Sequence, residues 1–220
     1  MDRLLDRVFP CLVRDPADEV VAGWARVDPR PWAWLDDLDA RIRSVVAPGV
    51  RVDTTNELVQ VSIEAEAVYL APGARVEPGV VMVQGPIYVG PDAVLRAHAY
   101  IRGPAWIGEG AVVGHASEIK SSVLLKGAHA PHFAFVGDSV VGAGANLGAG
   151  VRLANFRIDG RAVRVAWGET RLETGRRKLG ALVGDGASLG CNSVTNPGTV
   201  LAAGVRVPAL SNLRGFVSAP

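Results

Sequence analysis

Cysteine is nearly missing from this chain, which has only Cys11 and Cys191 among its 220 residues. That excludes a disulfide framework and fits a reducing compartment. An excess of either charge is missing too, because 23 Lys and Arg offset 22 Asp and Glu to leave a net charge of +1. Neither nucleic acid nor an anionic membrane is therefore expected as the main partner. No stretch approaches the roughly 18 apolar residues of a membrane span. The opening MDRLLDRVFP carries acidic residues where a signal peptide would need an apolar run. A cytoplasmic location is the expectation. What the chain does have is bulk: with 49% hydrophobic and 20% charged residues it can form one sizeable core plus an appendage.

That core announces itself as a six-residue beat. Aliphatics stand at Val89, Leu95, Ile101, Ile107, Val113, Ile119 and Leu125, and four residues after most of them comes a small one: Ala93, Ala99, Ala105, Ala111, Ser117. The beat reappears at Leu70 and Val76, at Val141, Leu147 and Leu153, and at Val183, Leu189, Leu201 and Val207. This is the hexapeptide signature of an all-β parallel β-helix, in which three short strands make one triangular coil. The aliphatic plugs the interior, and the small residue fits a corner that has no room for a longer side chain. Coils then stack on coils from about residue 60 to 215, on the order of eight or nine of them. A β-sandwich is the competing architecture, but its strands repeat every 8–12 residues and alternate apolar with polar.

Residues 1–58 lack the beat and are assigned to a helical cap or docking segment, with 59–220 as the β-helix domain. Asp18 to Val27 and Trp34 to Val46 have helical spacing, separated by Pro29 and Pro31. Such a piece is expected to cover the open first coil, whose edge would otherwise be exposed.

Chemistry is expected where the repeat is interrupted, because regular coils are scaffold and loops place side chains freely. One interruption is KGAHAPHFAFVGD, 126–138, holding His129 and His132. The other runs from Ala154 to Gly180, where Asp159 and Gly160 between FRI and AVRV suggest a hairpin turn. Arg152, Arg157, Arg161, Arg164, Arg176, Arg177 and Lys178 make this the most basic part of the chain. Clustered arginines suit phosphate, although such a run taken alone is more often a solvated rim.

These residues resemble a family. HFAFVGD at 132–138, NLGAGVRLAN at 146–155 and TGRRKLG at 174–180 are similar to strings in the acetyltransferase domain of the bifunctional glucosamine-1-phosphate acetyltransferase and N-acetylglucosamine-1-phosphate uridyltransferase. Among its branches, the archaeal-type sugar-1-phosphate nucleotidyltransferases look most alike. The resemblance implies left-handed winding and a parallel homotrimer with substrate held between neighbours. It also implies acetyl-CoA as co-substrate, a sugar phosphate as acceptor, and no metal.

Carried over by position, the resemblance puts the general base at His132, a task suited to a side chain that titrates near neutrality, with Glu118 orienting or polarising the site. Arg102, Lys120, Phe135, Asn146, Arg161, Arg164 and Lys178 fall on substrate positions. Ala149, Asn155, Phe156 and Cys191 fall along the acetyl-CoA strip, where backbone amides would meet the thioester oxygen. Phe135 replaces a tyrosine of the family and removes a hydroxyl. After Val207, Arg214 is the one candidate for the nucleotide end of CoA. The family's G-x-G-T-R loop and Pro-Lys do not occur, so nucleotidyl transfer is not expected of this chain.

An acetyl-CoA-dependent N-acetyltransferase acting on an amino-sugar phosphate is the function expected. The alternative is a non-catalytic trimerisation or regulatory module for a separate sugar nucleotidyltransferase. A zinc hydratase on the same fold would need three histidines, with an H-x4-H pair. His98, His115 and His129 read as turn or surface residues, and the one close pair, His129 and His132, has the wrong spacing.

Overall fold

The computed structural model describes residues 2–14, 19–46, 62–65, 67–167 and 170–218. Three parallel sheets of eight, eight and seven strands stand edge to edge, each built from strands one full coil apart. One inward residue per strand fills the prism. On the first face Ile101, Ile119, Val136 and Leu153 follow one another in register. On the second, Ile107, Leu124, Val141, Val183 and Leu201 do the same, and all are fully buried in a single core. The small corner residues are buried as expected, and the serines among them also join coils. Ser122 Oγ donates to the Val136 carbonyl at 3.2 Å and accepts the Ser139 N–H at 3.0 Å. Ser139 Oγ in turn accepts the Ala181 N–H at 3.0 Å. A hydroxyl here satisfies backbone groups that a tight corner leaves unpaired.

Two expectations are corrected. First, 126–138 is not an insertion: His129–His132 and Phe135–Gly137 are ordinary strands of successive faces. The beat shortens by one, so the inward residue after Ile119 is Leu124, and Leu125 faces outward. The shortening is absorbed at Ser121 and Asp138, which turn the chain with φ of 46° and 47°. Second, the hairpin of the long insert is not centred on Asp159 and Gly160. Its strands are Arg164–Trp167 and Thr170–Glu173. Asp159 still makes a turn, but a separate one: its carboxylate is clamped by the Arg157 guanidinium and accepts the Arg161 N–H at 3.2 Å.

The N-terminal segment is helical, as expected, with α1 (Asp2–Val8), α2 (Pro10–Arg14), α3 (Glu19–Val27), a short 3-10 turn at Pro31–Leu35 and α4 (Leu38–Val45). The first two helices carried no recognised signal, and the proposed boundary near 58 lies outside the described residues. The described part of the segment lies along a lateral face rather than over the first coil. Trp106, Val123, Val140, Leu182 and Val200 point outward from the second face and are buried with Leu4, Val8, Trp24, Trp34 and Ile42 in a second apolar core. The reason is visible in the strands. On this face both the inward residue and its outward neighbour are apolar (Trp106-Ile107, Val123-Leu124, Val140-Val141, Leu182-Val183), so the sheet must be covered on both sides. Tyr69, Tyr88 and Trp106 stack along it with centroids 5.4 and 3.9 Å apart, and Trp24 meets Trp106 edge-on at 5.3 Å.

A buried carboxylate ties the other end of the segment down. Asp185 accepts the Cys11 and Ala143 N–H groups, both at 2.8 Å, while its own N–H donates to the Val8 carbonyl. Burial pushes this carboxyl above its ordinary value, and the two N–H groups oppose that rise.

One inward position breaks the apolar rule. Thr195 follows Leu153 in register, is fully buried, and its hydroxyl meets no partner. Thr195→Val should therefore stabilise the fold by about 1 kcal/mol, seen as a rise of roughly 2–4 °C in the melting temperature. An unchanged or lowered value would refute the reading of that hydroxyl as unsatisfied.

Candidate functional site

Among the described residues two of the three lateral faces remain open, and the expected site residues divide between them and the insert. At the corner leading into the first face, register places His115 beside His132. The ladder continues, since the Gly150 N–H bonds the His132 carbonyl and the Asn192 N–H bonds the Ala149 carbonyl. His115, His132, Ala149 and Cys191 thus form one row down the corner, four successive coils deep. Each coil turns there through a left-handed residue: His98, Ala116, Phe133 and Asn192 have φ of 62°, 50°, 51° and 57°, and Gly150 has 74°. That conformation throws side chains outward. Phe133 is 53% exposed and meets the His115 ring edge-on at 5.4 Å, and His115 meets His98 at 5.7 Å. The His132 ring is exposed and has no hydrogen-bond partner among the described residues.

The adjoining first face carries the charge. Glu118 lies in register between Tyr100 and Phe135, and Phe135 lies beside Arg152. Arg102 donates to Glu118 at 3.3 Å, with both side chains about one-third exposed, at 31% and 33%. The Arg102 Nε is buried without a partner. Lys120, expected at a phosphate position, is engaged within the fold. Its ammonium lies 2.9 Å from Asp138, whose carboxylate also accepts the Asn155 amide at 2.6 Å and faces Arg176 at 3.6 Å. Asn155 is thereby held at the opposite corner from His132. Gly137 makes the arrangement possible: a Cβ there would come within 2.7 Å of both the Asn155 amide nitrogen and the Phe135 ring. Asn146 stands beside His129 on the third face, three residues along the chain from the Ala149 of the histidine row.

The insert collects the remaining cations. Phe156 bridges to Lys178, and Arg161 is exposed. Arg176 also reaches Asp36, linking insert to helices. A cavity of about 830 Å³ opens between the insert and the last two coils, lined by Phe156, Arg157, Arg164 and Arg214 among others. Its floor depends on Gly198, where φ is 79° and a Cβ would meet the Arg164 carbonyl at 2.2 Å. Sequence reasoning missed Asp138, the carboxylate that organises Lys120, Asn155 and Arg176. Its signal was the acidic residue closing HFAFVGD. No group of three or more His, Cys, Asp or Glu able to hold a metal occurs among the described residues. No helix among them is long and apolar enough to cross a membrane.

Comparison with known proteins points in one direction. The family model for the GMPPB C-terminal domain matches residues 83–170. A bifunctional sugar-1-phosphate nucleotidylyltransferase/acetyltransferase of Sulfurisphaera tokodaii is 36% identical over 118 residues, covering 54% of this chain and 28% of the relative. The bifunctional protein GlmU of Methanocaldococcus jannaschii is 38% identical over 100 residues, 46% of this chain and 24% of the relative. GlmU of Anaeromyxobacter dehalogenans is 32% identical over 178 residues, 79% of this chain and 33% of the relative. Over its β-helix the chain therefore resembles the acetyltransferase domain of the bifunctional sugar-1-phosphate enzymes. It spans no more than about a third of the length of these relatives, the largest share being 33%.

The Asp138 hub yields a prediction. Asp138→Asn leaves Lys120 and Arg176 without their buried counter-charge and should cost about 3 kcal/mol in urea denaturation. Glu118→Gln, breaking the half-exposed pair with Arg102, should cost less than about 1 kcal/mol. Equal losses in the two variants would contradict the difference in burial.

Proposed function

We propose that this chain is an acetyl-CoA-dependent N-acetyltransferase acting on an amino-sugar phosphate, with His132 as the general base. The observation that carries the reading is the row of His132, Ala149 and Cys191 on one open corner, beside a face bearing Arg102, Glu118 and Arg152. The similarity to bifunctional acetyltransferases supports it. The thioester would lie along that corner. The neutral acceptor amine would attack the acetyl carbonyl as His132 takes one proton from its nitrogen, and backbone N–H groups would face the oxyanion. Collapse expels the coenzyme A thiolate, which the imidazolium then protonates. Arg102 suits the phosphate of the acceptor, since its side chain is 31% exposed on the open face beside Glu118. Glu118 balances its charge when the site is empty.

Three copies of the chain would complete the site, packing through the open faces; the helix-covered face is unavailable for this. Arg161, Arg164 and Lys178 stand on the far side of the prism from His132, so in this reading they reach an acceptor only from a neighbouring copy. The engagement of Lys120 and Asn155 by Asp138 favours a second reading, in which the chain is a non-catalytic trimerisation or regulatory module for a separate sugar nucleotidyltransferase.

The two are separated by thiol release from acetyl-CoA with a panel of amino-sugar phosphates. Turnover is expected with at least one amine, and His132→Ala should lower kcat by about two to four orders of magnitude. Thiol release unaffected by His132→Ala would remove the imidazole from the chemistry. No turnover with any amine would leave the scaffold reading.

A further inference from the structure

Register puts Arg102, Lys120 and Gly137 in one column of the first face. Arg102 therefore stands two coils from His132, and the coil of His115, Glu118 and Lys120 lies between them. Neighbouring parallel strands are about 4.8 Å apart, so those two coils are separated by roughly 10 Å along the prism. An acceptor whose amine meets His132 and whose phosphate meets Arg102 must lie across the coil of His115.

The polar groups of that coil are not equally committed. Glu118 is paired with Arg102 and Lys120 with Asp138, whereas His115 is an exposed ring braced in one orientation. Its Nδ1 lies 3.1 Å from the Ala97 carbonyl. A carbonyl only accepts, so Nδ1 carries a proton and Nε2 of the neutral ring keeps its lone pair. The Ala97 peptide is itself fixed, because its N–H donates to the Glu77 carboxylate at 2.8 Å. The His98 and Phe133 rings meet the imidazole edge-on at 5.7 and 5.4 Å. Nε2 meets no partner among the described residues. A hydrogen-bond acceptor already held in place beside the path of a ligand favours a ligand that brings a donor to it. We propose that His115 is a specificity-determining residue of the acceptor site, its Nε2 accepting a hydrogen bond from a ring hydroxyl of the amino sugar. The inference rests on the acetyltransferase reading and narrows it to amino-sugar phosphates against acyclic amino phosphates.

Phosphoethanolamine is the matching acyclic compound, since it keeps the N–C–C–O–P chain of glucosamine-1-phosphate and lacks the ring hydroxyls. Binding of both compounds to the full chain, with and without coenzyme A, is followed by titration calorimetry and by the nitrogen resonances of the imidazoles. The His115 Nε2 resonance, assigned by its loss in His115→Ala, should shift with glucosamine-1-phosphate and not with phosphoethanolamine. His115→Ala should weaken glucosamine-1-phosphate binding about three- to tenfold and leave phosphoethanolamine binding unchanged. His115→Gln, which returns an acceptor atom at similar reach, should recover most of the loss. An unmoved resonance, an equal loss for both compounds in His115→Ala, or no binding of glucosamine-1-phosphate with or without coenzyme A would each overturn the proposal. Thiol release is scored separately. Binding that depends on His115 without any thiol release would uphold this role and end the catalytic reading, whereas His132-dependent thiol release in a chain whose binding ignores His115 would end the proposal alone.

Discussion

Everything in this molecule depends on the requirement that each coil present an inward aliphatic at the same height and angle as the one below it. Parallel strands one coil apart exchange all their backbone hydrogen bonds with neighbours, so a coil has no freedom to shift sideways without breaking bonds above and below. Side chains can then vary only where the backbone is not pinned by that ladder, at the outward positions and at the corners. The corners are the richer of the two. A left-handed residue there reverses the chain in one step and aims its side chain away from the prism. His98, Phe133 and Asn192 occupy such positions, and His132 immediately precedes one.

The three faces are chemically unlike because the outward neighbours of the plugs differ. On the second face the outward residues are Trp106, Val123, Val140, Leu182 and Val200, and water is excluded from them by the helices and the hairpin. At about 25 cal/mol per Å² of apolar surface, burying a row of that kind stabilises the chain enough to fix the helices although each is short. On the first face the corresponding residues are Tyr100, Glu118, Phe135 and Arg152, and no described residue covers them. Amphipathic cover on one side and open charge on another make the prism directional, so any assembly of copies must use what the helices leave free.

The sequence made the solenoid legible because its period is short, its plugs are bulky, and each corner demands a small residue. Ala93, Ala99, Ala105 and Ala111 were identifiable for that reason, and all are fully buried. The one-residue shortening at Leu124 was not legible, since Leu124 and Leu125 satisfy the beat equally well and only the stacking of Leu124 on Ile107 decides between them. That slip made a regular coil look like an insertion. The covering helices were visible by their spacing, but their position followed from paired apolar residues such as Val140-Val141, which a six-residue count reads as a single plug. Within the site, the row of His132, Ala149 and Cys191 follows from the stacking of successive coils, which linear spacing does not show. The engagement of Lys120 and Asn155 by Asp138 was not legible, because that carboxylate comes close only once the coils are stacked.

Asp138 also shows why the cationic residues of this chain divide into two kinds. A carboxylate with a side chain only 6% exposed stabilises cations best when several donors share it, and Lys120, Asn155 and Arg176 do so while Arg176 extends to Asp36 on the helical segment. These groups hold first face, insert and helices together, so their charge is already spent within the fold. Arg102, Arg171 and Arg214 are different: Arg102 has only the part-exposed carboxylate of Glu118, and Arg171 and Arg214 meet no carboxylate among the described residues. Charge that the fold does not consume is the charge a phosphate can find. It stands at two separate places on the prism, one beside the histidine corner and one beneath the insert.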